Sequence, residues 1–394
     1  MTTPKRRIAI NFGSGYVPGL NFVVIGAVRA AVRLGWEVVG IHDGYDGLYH
    51  PEQYADGGKI ALTASLADIL GSSGGSILGT GARTDPFRAR RMTPDGLVEE
   101  TDRSDELLAT IRDAGIDGVI SIVGGSAVTG MHALTVAMKL HRKGLTTVCI
   151  PKSAENDVPA ASLALGYNSI LSHTAEMLER TRVAAHDIRR VAVVEVPGQH
   201  AGWLALQAGM AVCADAVLIP EIPYDIAAVA GHLRERMKGG QRSALVVSAE
   251  GAMPKPGTGP ATTSADAGLR KSLSPGSDAQ FGEGSRVIDR SGQAAESIAL
   301  ALQRLTGCET IPLTAGHLVR TGTATAVDQQ LGLGYGAAAV RALEEGRNGV
   351  LAVFQPPDVN FVPLGDAVNK VRTVPADSLF VQTARSLGIS LGDL

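Results

Sequence analysis

Leu145-Thr146-Thr147-Val148-Cys149-Ile150 runs directly into Pro151-Lys152-Ser153-Ala154-Glu155-Asn156-Asp157. The first six residues form a short aliphatic and β-branched run, the pattern of a strand buried on both faces of a parallel sheet. The next seven put a cation, a hydroxyl and two acids into the turn behind that strand, where open α/β sheets carry their chemistry. This mix suits phosphoryl transfer, which requires phosphate oxygens to be neutralised, a metal to be held and a proton to be taken from the attacking hydroxyl. An acidic and basic loop by itself is more often a solvated surface, so the reading depends on the segments around it.

Outward from that turn, short aliphatic runs alternate with helical patterns. Strands are expected at Ile8 to Phe12, Glu37 to Ile41, Gly118 to Ile122 and Thr146 to Ile150, with helices at Phe22 to Leu34, Asp105 to Ala114 and Met131 to Leu140. The second half repeats the pattern, with strands at Val191 to Val196, Ala216 to Ile219, Ala244 to Val247 and Thr310 to Leu313. Its helices are expected at Ala175 to Ala184, Gly202 to Ala211, Ile226 to Lys238 and Gln293 to Leu305. One further strand, Val350 to Phe354, stands in an otherwise mixed tail. Repeated βα order with near-continuous Val, Ile and Leu strands predicts an α/β fold with mainly parallel sheets. Two sheets are expected, because a dozen strands in one open sheet would be unusual, and a cleft between them is the natural site. Met253 to Gly284 turns to Pro, Gly, Ser, Thr and Ala and reads as a long flexible loop, a lid or a plain insertion.

With 394 residues the chain is long enough for two such domains. Its net charge of −3 supplies no global basic field, which argues against nucleic acid or anionic membrane as the main partner. Cys149, Cys213 and Cys308 are too widely spaced for a disulfide framework or a zinc site. Nothing has the form of a signal peptide or a membrane span, so the expected location is cytoplasmic.

Any phosphate must therefore meet a local cluster. Gly13-Ser14-Gly15-Tyr16-Val17-Pro18-Gly19-Leu20-Asn21 follows the first strand and opens a helix, where backbone N–H groups and the helix dipole favour an anion. The spacing G-x-G-x-x-x-G, with Pro18 inside it, departs from the dinucleotide fingerprint and disfavours a Rossmann oxidoreductase. Gly74 to Thr80, with Arg83 close behind, is a second glycine-rich turn, and Gly124-Gly125-Ser126 is a third. Any one of these is most often a plain turn, but together with Lys152 they favour a phosphate-lined site. In the second half Arg190 enters a strand, Glu250 ends another and Gly316-His317-Leu318-Val319-Arg320 follows a third. Guanidinium forks bind phosphate and carboxylates accept from hydroxyls, which suits a phosphorylated polyol.

Taken together, these segments resemble the phosphofructokinase family from the first strand to about Pro375. The family's opening GGDxPGxN corresponds to GSGYVPGLN here, and its D-G-Y-x-G-L stands intact at Asp43 to Leu48. GGTxLGTSR with TNPF is echoed by GGSILGTGARTDPF, V-V-E-V-x-G by Val193 to Gly198, and L-G-H-x-x-R by Ala315 to Arg320. The resemblance implies two Rossmann-like domains. The first, residues 1–165 completed by about 320–375, binds the donor phosphate, and the second, 166–319, binds the acceptor. It also implies phosphoryl transfer to a hydroxyl of a sugar phosphate such as fructose 6-phosphate, Mg²⁺ as cofactor and a homodimer or homotetramer. Lys152, where ATP users typically have Gly in PGTIDND, and the tail Val353 to Val368 point to the pyrophosphate branch.

Residue by residue, the resemblance makes Glu155 the general base, Asp157 the metal-side carboxylate, and Lys152 and Arg83 the donor-phosphate cations. Gly13, Ser14, Gly15, Gly124, Gly125 and Ser126 line the donor phosphates, and Ser153, Arg190, Gln199, Glu250, His317 and Arg320 meet the acceptor. Three positions depart from the family. Its magnesium-binding Asp falls on Gly125, its catalytic Asp becomes Glu155, and one arginine of the sugar-phosphate clamp falls on Ile311 while its partner Arg190 remains. In relatives that partner crosses a subunit boundary. The departures leave two alternatives: an enzyme remodelled for another phosphorylated metabolite in specialised biosynthesis, or an inactive binding or regulatory paralogue.

Overall fold

The structure is a computed structural model that describes residues 6–71, 75–81, 83–92, 98–124, 130–258, 292–368 and 370–393. The chain forms two compact units, Met1–His173 with His317–Arg372, and Thr174–Gly316 with Thr373–Leu394.

In the first unit the strands are β1 (Arg7–Phe12), β2 (Glu37–Ile41), β3 (Lys59–Ala61), β4 (Ala89–Met92), β5 (Val98–Thr101), β6 (Gly118–Val123) and β7 (Thr147–Pro151). The second contributes β8 (Val191–Val196), β9 (Ala216–Leu218), β10 (Ala244–Ala249) and β11 (Thr310–Thr314), and the chain then returns to the first with β12 (Val350–Gln355) and β13 (Asp358–Pro363). The first unit's seven-stranded sheet has the order β13-β12-β7-β6-β1-β2-β3. Its five inner strands pair in parallel, and β3 and β13 close the edges antiparallel. All six residues of β6 are buried, as are all five of β7, because helices cover both faces of the sheet. Ala9, Val119 and Leu140 belong to the core on one side, and Cys149, Leu351 and Val353 to another cluster.

The chain goes from β1 to β2 on one side and then returns to place β6 on the other. That reversal opens a crevice at the carboxyl ends of β1 and β6, the place where doubly wound sheets bind ligands. The second unit's sheet is all parallel in the order β11-β8-β10-β9, over a core that includes Val193, Val246, Val229 and Leu302.

Most expected elements stand within a few residues of their sequence-read limits, and the helix expected at Ala175 to Ala184 extends to Tyr167–Ile188. The helix Ala326–Glu344 is not evident from sequence, because Gly332, Gly334 and Gly336 weigh against a helix. Packing supplies the reason for two of them. A Cβ at Gly336 would lie 2.2 Å from the Val23 carbonyl oxygen and one at Gly332 2.9 Å from the Phe22 Cβ, so glycine lets this helix press backbone to backbone against the helix Leu20–Arg33. The loop expected at Met253 to Gly284 lies outside the described residues from 259 onward. Among the described residues no helix is long and apolar enough to cross a membrane.

Candidate active site

Two glycine-rich segments meet at the switch point, beside Gly124 at the end of β6. Gly13 N–H donates to the Ile122 carbonyl at 2.8 Å, joining the loop after β1 to β6. Gly15 N–H donates to the Thr80 carbonyl at 3.2 Å, Gly75 N–H to the Tyr16 hydroxyl at 3.2 Å and Ile77 N–H to Asn21 Oδ1 at 3.0 Å. The Asp43 to Leu48 motif secures the far side of the second loop. Asp43 Oδ1 accepts from Gly81 N–H at 2.7 Å, and Asp46 accepts from the N–H groups of Arg83 and Thr84, both at 2.9 Å. The acids of this motif are therefore loop anchors, and they fix the backbone from which the exposed Arg83 side chain extends.

The turn after β7 closes the site. Lys152 N–H donates to the Val123 carbonyl at 2.8 Å, and a Cβ at Gly124 would lie 2.1 Å from the Lys152 carbonyl oxygen, so only glycine permits this approach. The Lys152 side chain is wholly buried. Its Nζ donates to the Ser14 carbonyl at 2.6 Å and to the Gly15 carbonyl. Burial, with the Arg320 guanidinium adding to it, lowers the Lys152 pKa to about 7.

Ser153, Glu155 and Asp157 are likewise buried. Ser153 Oγ donates to Asp157 Oδ1 at 2.5 Å and accepts from Glu155 N–H at 3.0 Å, so this hydroxyl organises the turn from within. Asn156 takes a left-handed φ of 54° between the two acids. Its Oδ1 accepts from Ala164 N–H at 2.9 Å and its Nδ2 donates to the Ser162 carbonyl at 3.2 Å, which holds that conformation. Burial raises the Asp157 pKa, opposed by the Ser153 hydrogen bond and by Arg320. Arg320 thus faces both Lys152 and Asp157, and its buried Nε has no hydrogen-bond partner among the described residues. His317, in the same unit, is exposed.

Gly125 and Ser126 lie outside the described residues. Neither of them is a carboxylate. Among the described residues no three His, Cys, Asp or Glu side chains form a metal cage. Mg²⁺ characteristically takes one or two carboxylates and completes its shell with water and substrate phosphate. The buried carboxylate of Asp157 could supply one such ligand.

The remaining sequence-read residues lie in the second unit, at opposite ends of one strand. Gln199 and Glu250 follow the carboxyl ends of β8 and β10, where Glu250 Oε1 accepts from Gly198 N–H over a long 3.5 Å. Arg190 precedes β8, and its guanidinium meets Glu309 at 2.6 Å. Six strand residues separate the two ends, roughly 20 Å, so Arg190 cannot join Gln199 and Glu250 around one small molecule in the same chain. Ile311 pairs with Ala192 in the register of β11 and β8, close to the Arg190 end. Glu195 of the V-V-E-V motif is structural. Its carboxylate accepts from the N–H groups of Gly292, Ala294 and Ala295 at 2.6, 2.8 and 3.1 Å, capping the helix Gln293–Thr306. Burial pushes the Cys149 thiol up to about 12, which leaves it a core residue rather than a nucleophile.

Glycine-rich loops, a buried lysine and two buried acids thus stand together at the switch point of a doubly wound α/β sheet. The family model described as Phosphofructokinase matches residues 7–343, and the chain belongs to that family as a phosphofructokinase-like phosphotransferase. It is 33% identical over its whole length to the ATP-dependent 6-phosphofructokinase of Chloroflexus aggregans, covering 99% of that protein. It is 34% identical, over 94% of its length and 96% of theirs, to the ATP-dependent 6-phosphofructokinase 3 of Streptomyces coelicolor. In fold it is similar to a pyrophosphate-dependent phosphofructokinase from Marinobacter aquaeolei. That match has a TM-score of 0.72 at 16% identity, over 97% of this chain and 90% of that one.

Proposed function

We propose that the chain transfers a phosphoryl group from ATP to a hydroxyl of a sugar phosphate of the fructose 6-phosphate kind. The observation that supports this reading is the Lys152–Asp157 turn, in which the buried lysine is bonded to the Ser14 and Gly15 carbonyls and the two buried acids are joined through Ser153. Glu155 takes the proton of the attacking hydroxyl as its oxygen bonds to the terminal phosphorus and the bond to the leaving phosphate breaks. Asp157 would hold Mg²⁺, which when bound neutralises phosphate charge. In the first unit Arg83, the Gly13–Gly15 segment and Gly124 serve the donor, with Arg320 as a further phosphate cation and His317 an acceptor-side residue, and in the second Gln199 and Glu250 serve the acceptor. Arg190 serves the site of a neighbouring copy, which requires a homo-oligomer.

Pyrophosphate is the second reading, favoured by the charge of Lys152. Against it, two of the three ammonium donors are already used on the Ser14 and Gly15 carbonyls, and the whole-chain relatives above are named as ATP-dependent. The purified chain, assayed with fructose 6-phosphate and Mg²⁺, should show a kcat/KM for ATP at least about tenfold above that for pyrophosphate, a margin of about 1.4 kcal/mol. Saturable transfer from pyrophosphate alone would reverse the donor assignment, and no transfer from either donor to any sugar phosphate would defeat the functional reading.

A further inference from the structure

The turn carrying Glu155 and Asp157 is braced by a residue more than two hundred positions away. Arg372 N–H donates to the Asp157 carbonyl at 2.8 Å, and its guanidinium Nη1 donates to the Asn156 carbonyl at 3.1 Å. Both acceptors belong to consecutive residues of the turn, and the first is the one in the left-handed conformation. The Asn156 side chain is already committed to Ser162 and Ala164, and the carbonyl bonds from Arg372 restrain the rotation of the peptides on either side of Asp157. Arg372 is also the last residue of the first unit before the chain leaves it at Thr373.

We infer that Arg372 is a positioning residue. Through the Asp157 and Asn156 carbonyls it holds the backbone that aims both acids. The proposal rests on the phosphotransferase reading for its kinetic test but not for its structural one. An acid base displaced by about an ångström loses on the order of a hundredfold in rate, so the effect belongs in kcat.

The test compares the full-length chain with Arg372→Met and Arg372→Lys, using steady-state kinetics with ATP, Mg²⁺ and fructose 6-phosphate, thermal melting, and hydrogen exchange of the peptide spanning residues 153–158. Arg372→Met should lower kcat by roughly 10- to 100-fold with KM for both substrates within about threefold of wild type, and Arg372→Lys should recover about tenfold of that loss. Exchange in 153–158 should rise in both variants, more in the first. Wild-type kcat in a folded Arg372→Met variant would overturn the proposal, as would a fall in kcat that only tracks the folded fraction and is not rescued by lysine. If Arg372→Met does not fold, Arg372→Lys decides the matter, since wild-type exchange in 153–158 contradicts the role. If the wild type has no turnover, the functional reading fails and the exchange comparison still tests Arg372.

Discussion

The turn after β7 and the start of β8 each bring an acid together with basic or polar groups, yet they are built on opposite principles. At the first, Lys152, Ser153, Glu155 and Asp157 are buried and bonded into the surrounding backbone. At the second, Arg190 and Glu309 form a pair whose side chains are 42% and 70% exposed. Water screens the second pair and lets either partner be redeployed, whereas the first cluster is held in one arrangement by surrounding hydrogen bonds. Chemistry that needs a base placed to within an ångström belongs in the first setting. Contact with a neighbouring molecule suits the second.

This contrast can be broken at several points. Among single substitutions the largest stability effect is expected for Ser153→Ala, which leaves a buried Asp157 carboxylate without its hydroxyl donor and releases Glu155 N–H. A loss of about 1.5–3 kcal/mol, read by denaturant unfolding, is the expected result, and a change under about 0.5 kcal/mol would mean the turn is not braced as described.

A pH effect comes next. The folded Lys152 has a pKa near 7 against the 10.5 of an exposed lysine, so between those pH values the unfolded chain holds a proton that the folded chain has released. Folding stability should therefore rise with pH across that window, by at most about 1.4 kcal/mol per unit from this group. Lys152→Met should remove that part of the slope, and an unchanged stability profile from pH 7 to 10 would show that the side chain is not buried as found. The smallest effect is expected at the exposed pair, where Glu309→Ala should change stability by about 0–1 kcal/mol. A loss above 2 kcal/mol would erase the distinction between the two regions.

Much of the architecture is legible in the sequence because strands buried on both faces must be apolar throughout, as β6 and β7 are. The helix Ala326–Glu344 is hidden because its glycines satisfy a tertiary demand, close approach to the helix Leu20–Arg33, that local propensity does not register. At the turn after β7, residue types and spacing single out Lys152, Glu155 and Asp157 as candidates, but spacing does not say where a side chain goes. The Lys152 ammonium reads as an open charge for a phosphate and turns out to be bonded to Ser14 and Gly15. Ser153 reads as a substrate contact, and spacing gives no sign that its hydroxyl donates to Asp157. Asn156 could have been suspected from its tolerance of the left-handed region, whereas nothing local to Arg372 links it to a turn so distant in the chain.

The central claim is that the braced turn presents Glu155 as the base of a phosphoryl transfer. The most direct measurement is the kcat of Glu155→Gln beside wild type, with ATP, Mg²⁺ and fructose 6-phosphate, at matched melting temperature. A fall of roughly 10²–10⁴-fold with nearly unchanged KM is predicted, as for loss of a general base. A folded Glu155→Gln protein that turns over at the wild-type rate would contradict it.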